Sequence, residues 1–452
     1  MLKVLCPSNL ENEKTYIIDV VFSYFLGIDY VLEFDDVECF VLSNKSTDTK
    51  LLISSCWWDG ANIPYLQSKF LPQSVEFSYL PYYPEKDAPI LFGSPYINEG
   101  SGIIHCEVDI FATIFFMISR MEEVIDGNRD ELGRFPGKSS IAKLHGFVER
   151  PIVDEYVVFL KTLMSKFFNV DFCNNDKFKK FVTCDVDFPY DLSLVSWSRI
   201  LRSTLGIIYH ERSFFKGVYE ILNGFMYKSR LIEDRFTKAL DFIMDSNDKV
   251  GNKVAFYFIP HITGKFDPDI EFSSSRVSKI ITRIHERGHE VGIHMGFGCC
   301  SNYELAFKSV KIYQQALDSL GIPNNNIGCR MHYLKWDAYN TPSILEDCGI
   351  SYDTSLAFPD LSGFRCGTTM QFPLFDFKKR KATSVIEIPL VNMEATIIGA
   401  NYEGIKDPNL VSDRMEKFKS IVKKYGGTYT LLWHNNNLIS KKWKRVYMRI
   451  IS

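Results

Sequence analysis

The chain has 452 residues, long enough for two or three domains, and its 46% hydrophobic and 24% charged residues are an ordinary globular balance. Lys and Arg number 52 against 55 Asp and Glu, a net charge of -3, so there is no overall basic field to attract nucleic acid or an anionic membrane. The 11 cysteines are scattered, with no CxxC pair, and the adjacent Cys299 and Cys300 read as small loop residues rather than metal ligands. The opening residues MLKVLCPSNLENEKTY have no apolar run behind a basic start, and no apolar run approaches the ~20 residues that span a bilayer. The expectation is a chain of the reducing cytoplasm with no transmembrane segment.

Residues 1–176 mix strands and helices, which predicts a smaller α+β or α/β N-terminal domain. TYIIDVVFSYFLG is apolar at helical spacing, and ECFVLSN and KLLISSCWW alternate or run apolar like strands. DIFATIFFMISRMEEV predicts a strong helix from Asp109, and RPIVDEYVVFLKTLMSKFF another, with Pro151 near its first turn. NVDFCNNDKFKK reads as the linker. From residue 177 to 452 short apolar strands alternate with helices. The strand candidates are KFVTCDV, KVAFYFI, HEVGIH, NIGCRMH, SYDTS, SVIEIPL and YTLLWH. SSSRVSKIITRIHERG predicts a serine-capped helix, and NYELAFKSVKIYQQALDSLG and LVSDRMEKFKSIVKKYGG two more that stop at glycine. A largely helical insertion occupies about 193–250. Such alternation means a parallel sheet or barrel, and seven strands favour a barrel.

The chemistry lies at the C-terminal ends of these strands, which converge on one face of a parallel barrel. VTCDVD delivers Asp185 and Asp187, which share a side of the strand. Two neighbouring carboxylates repel unless a cation separates them. HEVGIH ends at His294, whereas His289, five residues earlier, falls on the opposite face and reads as structural. CRMHY brings Arg330, whose guanidinium fork can hold a carboxylate ionised, with His332 beside it. LLWH ends at His434, a possible proton donor to a leaving group, and His261, after FYFIP, is an outside candidate.

At these residues the sequence resembles the polysaccharide deacetylase family (carbohydrate esterase family 4, NodB-like) over roughly 178 to 440. TCDVD resembles its first motif, which implies Asp185 as general base and Asp187 as a metal ligand. GHEVGIH is similar to the second and implies His294 as a ligand. RMHYL resembles the third, with Arg330 orienting the base and the Tyr333 amide helping to hold an oxyanion. LLWH resembles the last and casts His434 as general acid. The fold implied is a distorted (β/α)7 barrel. SRMEEVIDGNRDELGRF, ERPIVDEY and DTSLAFPDLSGFRCGT look like a bacterial subgroup with an extra N-terminal domain of unknown role. There are two departures: Gly298 stands where the second motif has another histidine, and His332 where the third has proline. A divalent ion needs a third protein ligand, for which His332 is the first candidate and His261 the second.

The activity implied is metal-dependent removal of an N-acetyl or related acyl group from a sugar of a bacterial surface polysaccharide or its precursor, with zinc the first-choice metal. An acetylated carbohydrate is the expected partner, and no protein partner can be named. Gly298 motivates the rival reading of a catalytically impaired barrel that binds carbohydrate or protein. A glycosidase using Glu290, Asp353 or Glu387 is a third. Trp336, Tyr333, Phe358 and Phe364 are candidates for stacking on sugar rings, and equally for ordinary packing.

Overall fold

The computed structural model of the chain describes residues 1–44, 47–60, 65–168, 170, 172 and 178–452. Among the described residues, eight strands fall in the first part: β1 (Leu2–Pro7), β2 (Tyr30–Asp35), β3 (Phe40–Asn44), β4 (Lys50–Ile53), β5 (Glu76–Ser78), β6 (Ala88–Ile90), β7 (Gly93–Gly100) and β8 (Ile103–Val108). Six form a mixed sheet in the order β2-β1-β3-β4-β8-β7, while β5 and β6 pair with each other. The helix Ile110–Ile118 is buried on every side. Asp109 caps it, accepting from the Ala112 amide at 3.0 Å and the Trp57 amide at 3.1 Å.

Three boundaries differ from the sequence pattern, each for a local reason. The expected helix from Asp109 breaks at Arg120, whose φ of 57° interrupts the helical path before a short second helix, Met121–Ile125. The strand in KLLISSCWW stops at Ile53, and CWW turns into a short helix that buries both tryptophans. The run from Thr15 is helical only as far as Phe25, widening into a π-helix from Val20 to Phe25, and Gly27 leaves it with φ 62°.

Nine strands form the second sheet: β9 (Lys179–Val186), β10 (Val254–Phe258), β11 (Glu290–Met295), β12 (Gly328–Met331), β13 (Tyr352–Asp353), β14 (Phe372–Asp376), β15 (Lys381–Glu387), β16 (Asn392–Met393) and β17 (Thr428–Leu432). Their order is β14-β15-β13-β12-β11-β10-β9-β17-β16, curled into a half-barrel. Every pairing is parallel except β14 with β15. The seven expected segments are β9 to β13, β15 and β17. β14 and β16 are additional, and among the described residues β14 and β16 end the sheet without pairing to each other. β10 and β17 are buried at every position, as strands covered on both faces should be.

The helices between these strands follow the apolar pattern. Val277, Ile280, Ile281 and Ile284 are the buried face of Ser275–Glu286, although Ser274 makes no side-chain cap bond there. Asn302 caps Tyr303–Ser319 by accepting from the Leu305 amide at 3.1 Å. Asp407 caps Pro408–Tyr425, which ends at Gly426 with φ 72°. The insertion after β9 forms three helices, Trp197–Glu211, Phe214–Lys228 and Arg235–Asp248. Much of the expected linker, residues 169, 171 and 173–177, lies outside the described residues, and Lys179 and Lys180 already belong to β9. No helix among the described residues is long and apolar enough to cross a membrane.

One apolar core runs through both sheets and their helices. Tyr16 and Phe115 from the first part pack against Phe375 of β14, tilted at a ring separation of 4.8 Å and edge-on at 5.2 Å respectively, and the Tyr16 hydroxyl donates to the Pro373 carbonyl at 2.8 Å. Two ion pairs join the same halves, the first part-buried and the second fully buried. Arg380 grips the Glu13 carboxylate at 2.6 and 2.7 Å, and Arg365 grips Glu123 at 2.8 and 2.6 Å.

Candidate metal centre

Parallel pairing of β9, β10, β11 and β12 brings the residues that end these strands to one rim. There Asp187, His294 and His332 each offer a ligand atom, all lying within 4.8 Å of one another. His294 Nε2 is 3.4 Å from Asp187 Oδ1, and His332 Nε2 is 3.7 Å from the same oxygen. That oxygen is buried and has no hydrogen-bond partner. A buried orphan carboxylate oxygen facing two imidazole nitrogens fits a cation between them.

The tautomers follow from the partners on the far side of each ring. His294 Nδ1 sits 2.8 Å from the Arg330 carbonyl, which can only accept, so Nδ1 carries the proton and Nε2 presents its lone pair inward. His332 Nδ1 sits 2.7 Å from Asp267 Oδ1. Asp267 is pushed up by burial but held down more strongly by the bond to His332 and by the amides of Phe297 and Thr263, which leaves its carboxyl at about 2. It is therefore ionised, and His332 also donates through Nδ1. In Asp187, burial pushes the carboxyl up, but the three imidazoles of His294, His332 and His434 outweigh it and hold the group well below the usual carboxylate range.

Gly298 has no room for a histidine. A Cβ there would stand 2.9 Å from the Thr263 carbonyl oxygen and 2.9 Å from Leu305. The loop after β10 fills that space: Thr263 Oγ1 accepts from the Gly298 amide at 2.9 Å, and Asp267 accepts from the Phe297 amide at 2.9 Å. The loop that occupies the missing ligand's space is thus the one that orients His332. His261, at the end of β10, is not among the three converging residues.

The remaining predicted residues flank this cluster. Asp185 Oδ2 is 3.6 Å from His294 Nε2, and Asp185 Oδ1 is 3.5 Å from Arg330 Nε. Arg330 is fully buried and donates through Nη2 to Thr183 at 2.8 Å. His434 Nε2 lies 3.9 Å from Asp187 Oδ2, and its Nδ1 is 2.8 Å from Glu394. Burial works against the charged imidazole, yet the Glu394 carboxylate beside it raises His434 to about 10. Tyr333 and Leu334 adopt φ of 61° and 53°, a sparsely populated conformation, and the Tyr333 carbonyl accepts from Arg134 Nη1 at 3.2 Å.

Asp267 and Glu394 carry no motif of their own. The available signal is position: each lies in or beside a segment following a barrel strand, where carboxylates merit inspection. His289 accepts from the Val254 amide at 3.3 Å, away from the cluster. Cys299 and Cys300 are buried in their loop. Asp353 and Glu387 face each other across β13 and β15, both pushed up by burial and fully enclosed, while Glu290 bonds Tyr352 at the opposite strand ends. No sugar bond fits between such enclosed acids. Trp336, Phe358 and Phe364 are core residues, whereas Tyr333 is exposed and packs with Phe266 and Phe297 at 5.8 Å each.

Residues 2–169 match a family described as a family of unknown function (DUF7033). No curated protein matches the chain in sequence. Among solved structures, a Mycobacterium smegmatis protein assigned to the polysaccharide deacetylases is 14% identical, covering 63% of this chain and 87% of its own, with a TM-score of 0.40. An allantoinase is 10% identical, covering 62% of this chain and 85% of its own, with a TM-score of 0.37. A mutant of a carbohydrate esterase family 4 pseudoenzyme, with restored enzymatic activity, is 11% identical over 47% of this chain and 56% of its own, with a TM-score of 0.29. All three likenesses are remote.

Proposed function

We propose that the chain is a metal-dependent hydrolase that removes an N-acetyl or related acyl group from a sugar, with residues 1–176 as an N-terminal domain that braces the barrel. The observation that carries this reading is the convergence of Asp187, His294 and His332 within 4.8 Å, with Asp185 on one flank and His434 on the other. Two imidazoles and one carboxylate leave a coordination position open, as catalytic sites require, and zinc suits a set dominated by nitrogen. The order of the four motifs along the sequence supports the same reading.

When bound, a divalent ion would polarise the acyl carbonyl and lower the pKa of an attacking water. Asp185, whose Oδ1 lies 3.5 Å from Arg330 Nε, takes the proton from that water. The Tyr333 amide donates to the oxygen on which negative charge develops, an interaction worth roughly 3–4 kcal/mol where it is well placed. His434 is held protonated by Glu394 and passes a proton from Nε2 to the departing amine. Phe266, Phe297 and Tyr333 form an aromatic shelf beside His332 on which a sugar ring can stack.

Metal analysis of the purified chain tests the centre, and acetate release from N-acetylated oligosaccharides tests the reaction. The expected result is about one divalent ion per chain, lost in Asp187→Asn and His332→Ala. Unchanged metal content in His332→Ala rejects that ligand. Asp185→Asn is expected to keep the metal and slow acetate release by roughly 10²–10⁴-fold. A metal-free chain that binds glycans without releasing acetate would instead establish a carbohydrate-binding barrel.

A further inference from the structure

The insertion after β9 presents an apolar surface that the metal centre does not use. Its first two helices, Trp197–Glu211 and Phe214–Lys228, form a hairpin. They approach closely because Gly217 and Gly224 face Ile208 and Ile200, where an added Cβ would come within 2.5 and 2.8 Å of those side chains. That contact buries only one side of the hairpin. The other side exposes Leu205, Tyr209, Phe214, Phe215, Tyr219 and Leu222, with Tyr209 78% and Phe215 87% exposed. Monomeric proteins rarely leave so many large apolar side chains together in water.

The charges around this face identify what covers it. Residues 195–231 hold six bases, Arg199, Arg202, Arg212, Lys216, Lys228 and Arg230, against two acids, Glu211 and Glu220. All six bases are exposed, while Glu220 is buried and gripped by Arg235 at 3.0 and 3.1 Å. The net charge of -3 over the whole chain conceals this local excess. A second copy of the chain would bring its own bases against these, which disfavours self-association. An anionic lipid surface satisfies both features, taking the apolar side chains into its outer layer and pairing its headgroups with the basic fringe.

We propose that the 197–228 hairpin docks the protein onto an anionic lipid surface. The hairpin is rooted at the barrel rim: its first helix begins soon after Asp187, and the side chain of Asn435, next to His434, donates to the Phe188 carbonyl at 2.8 Å. Arg276 lies over the Tyr190 ring at 4.0 Å and braces the base of the insertion. Docking would therefore set the mouth of the metal centre near the headgroups.

Flotation of the full chain with vesicles tests this, using phosphatidylcholine alone and phosphatidylcholine mixed with phosphatidylglycerol at about two to one. The expected result is flotation with the mixed vesicles that weakens as salt rises. Tyr209→Ser/Phe214→Ser/Phe215→Ser is expected to lower partitioning about tenfold with the unfolding transition unchanged. Arg202→Glu/Arg212→Glu/Arg230→Glu, which leaves the apolar face intact, is expected to do the same and to remove the salt dependence. Asp187→Asn should float like the wild type, so the docking result stands apart from the metal-centre reading. The proposal is overturned if the wild type stays unbound at low salt or if both triple variants float normally. It is also overturned if sedimentation shows a dimer that the serine variant dissolves and vesicles leave intact.

Discussion

His434 and its partner Glu394 show how a single carboxylate sets a proton's availability. The folded-state pKa of His434 is raised from 6.5 to about 10, so this pairing contributes stability that is fully present below 6.5 and is lost as the pH rises towards 10. Glu394→Gln removes the largest cause of that rise. In the metal-free protein, the imidazole NMR titration of His434 is expected to fall by more than about one pH unit in this variant. An unchanged titration would mean that Glu394 does not control the proton. Most of the candidate site was legible at this scale because Asp185, His294 and Arg330 lie in the last residues of parallel strands, and Asp187, His332 and His434 follow within two residues, where parallel packing gathers strand ends at one rim. Asp267 and Glu394 were not legible, because an orienting carboxylate needs only one bond to a ring nitrogen and many loop positions can supply it.

Among the elements, the loop after β10 and the turn after β11 act as one unit. Gly296 admits Thr263 and Asp267, and Gly298 admits Thr263, so closely that a Cβ at either glycine would collide with them. Gly298→His, which restores the side chain that the second motif otherwise carries, is expected to cost about 1–3 kcal/mol in denaturant unfolding without adding metal affinity. A stable variant with tighter metal binding would show that the loop can yield. Seven of the parallel strands were readable as short apolar runs separated by amphipathic helices. β16 was not, since two residues carry no period, and β14 was not, since PLFD differs little from a buried loop. The break at Arg120 lies in the backbone, within a run whose side chains read as one continuous helix.

For the whole molecule, the decisive contacts join the first 168 residues to the barrel. Glu123 is buried between Arg120 and Arg365. Burial alone would raise its carboxyl, but the two guanidinium groups bring it down from 4.5 to about 2. The stability it contributes is therefore present above 4.5 and is lost as the pH falls towards 2. Glu123→Gln leaves the buried Arg365 without its carboxylate and Arg120 with Glu122 alone, and is expected to cost roughly 3–5 kcal/mol near neutral pH. Its unfolding midpoint should also fall less than the wild type's between pH 4.5 and 2. The three segments that resemble a bacterial subgroup meet along this seam. Glu123 lies in the first, Asp154 in the second, and Arg365 and Thr368 in the third, with Asp154 accepting from the Thr368 hydroxyl at 2.5 Å.

The bond from Arg134 to the Tyr333 carbonyl bears on how this protein can be re-engineered. It ties an early residue to the turn beside His332, so residues 178–452 taken alone would lose that tie. A chimera that grafts residues 178–452 behind a foreign sequence would keep the Phe266 and Phe297 packing on Tyr333 but lose the Arg134 anchor of that turn. Carrying the first 168 residues along with the scaffold would preserve that anchor.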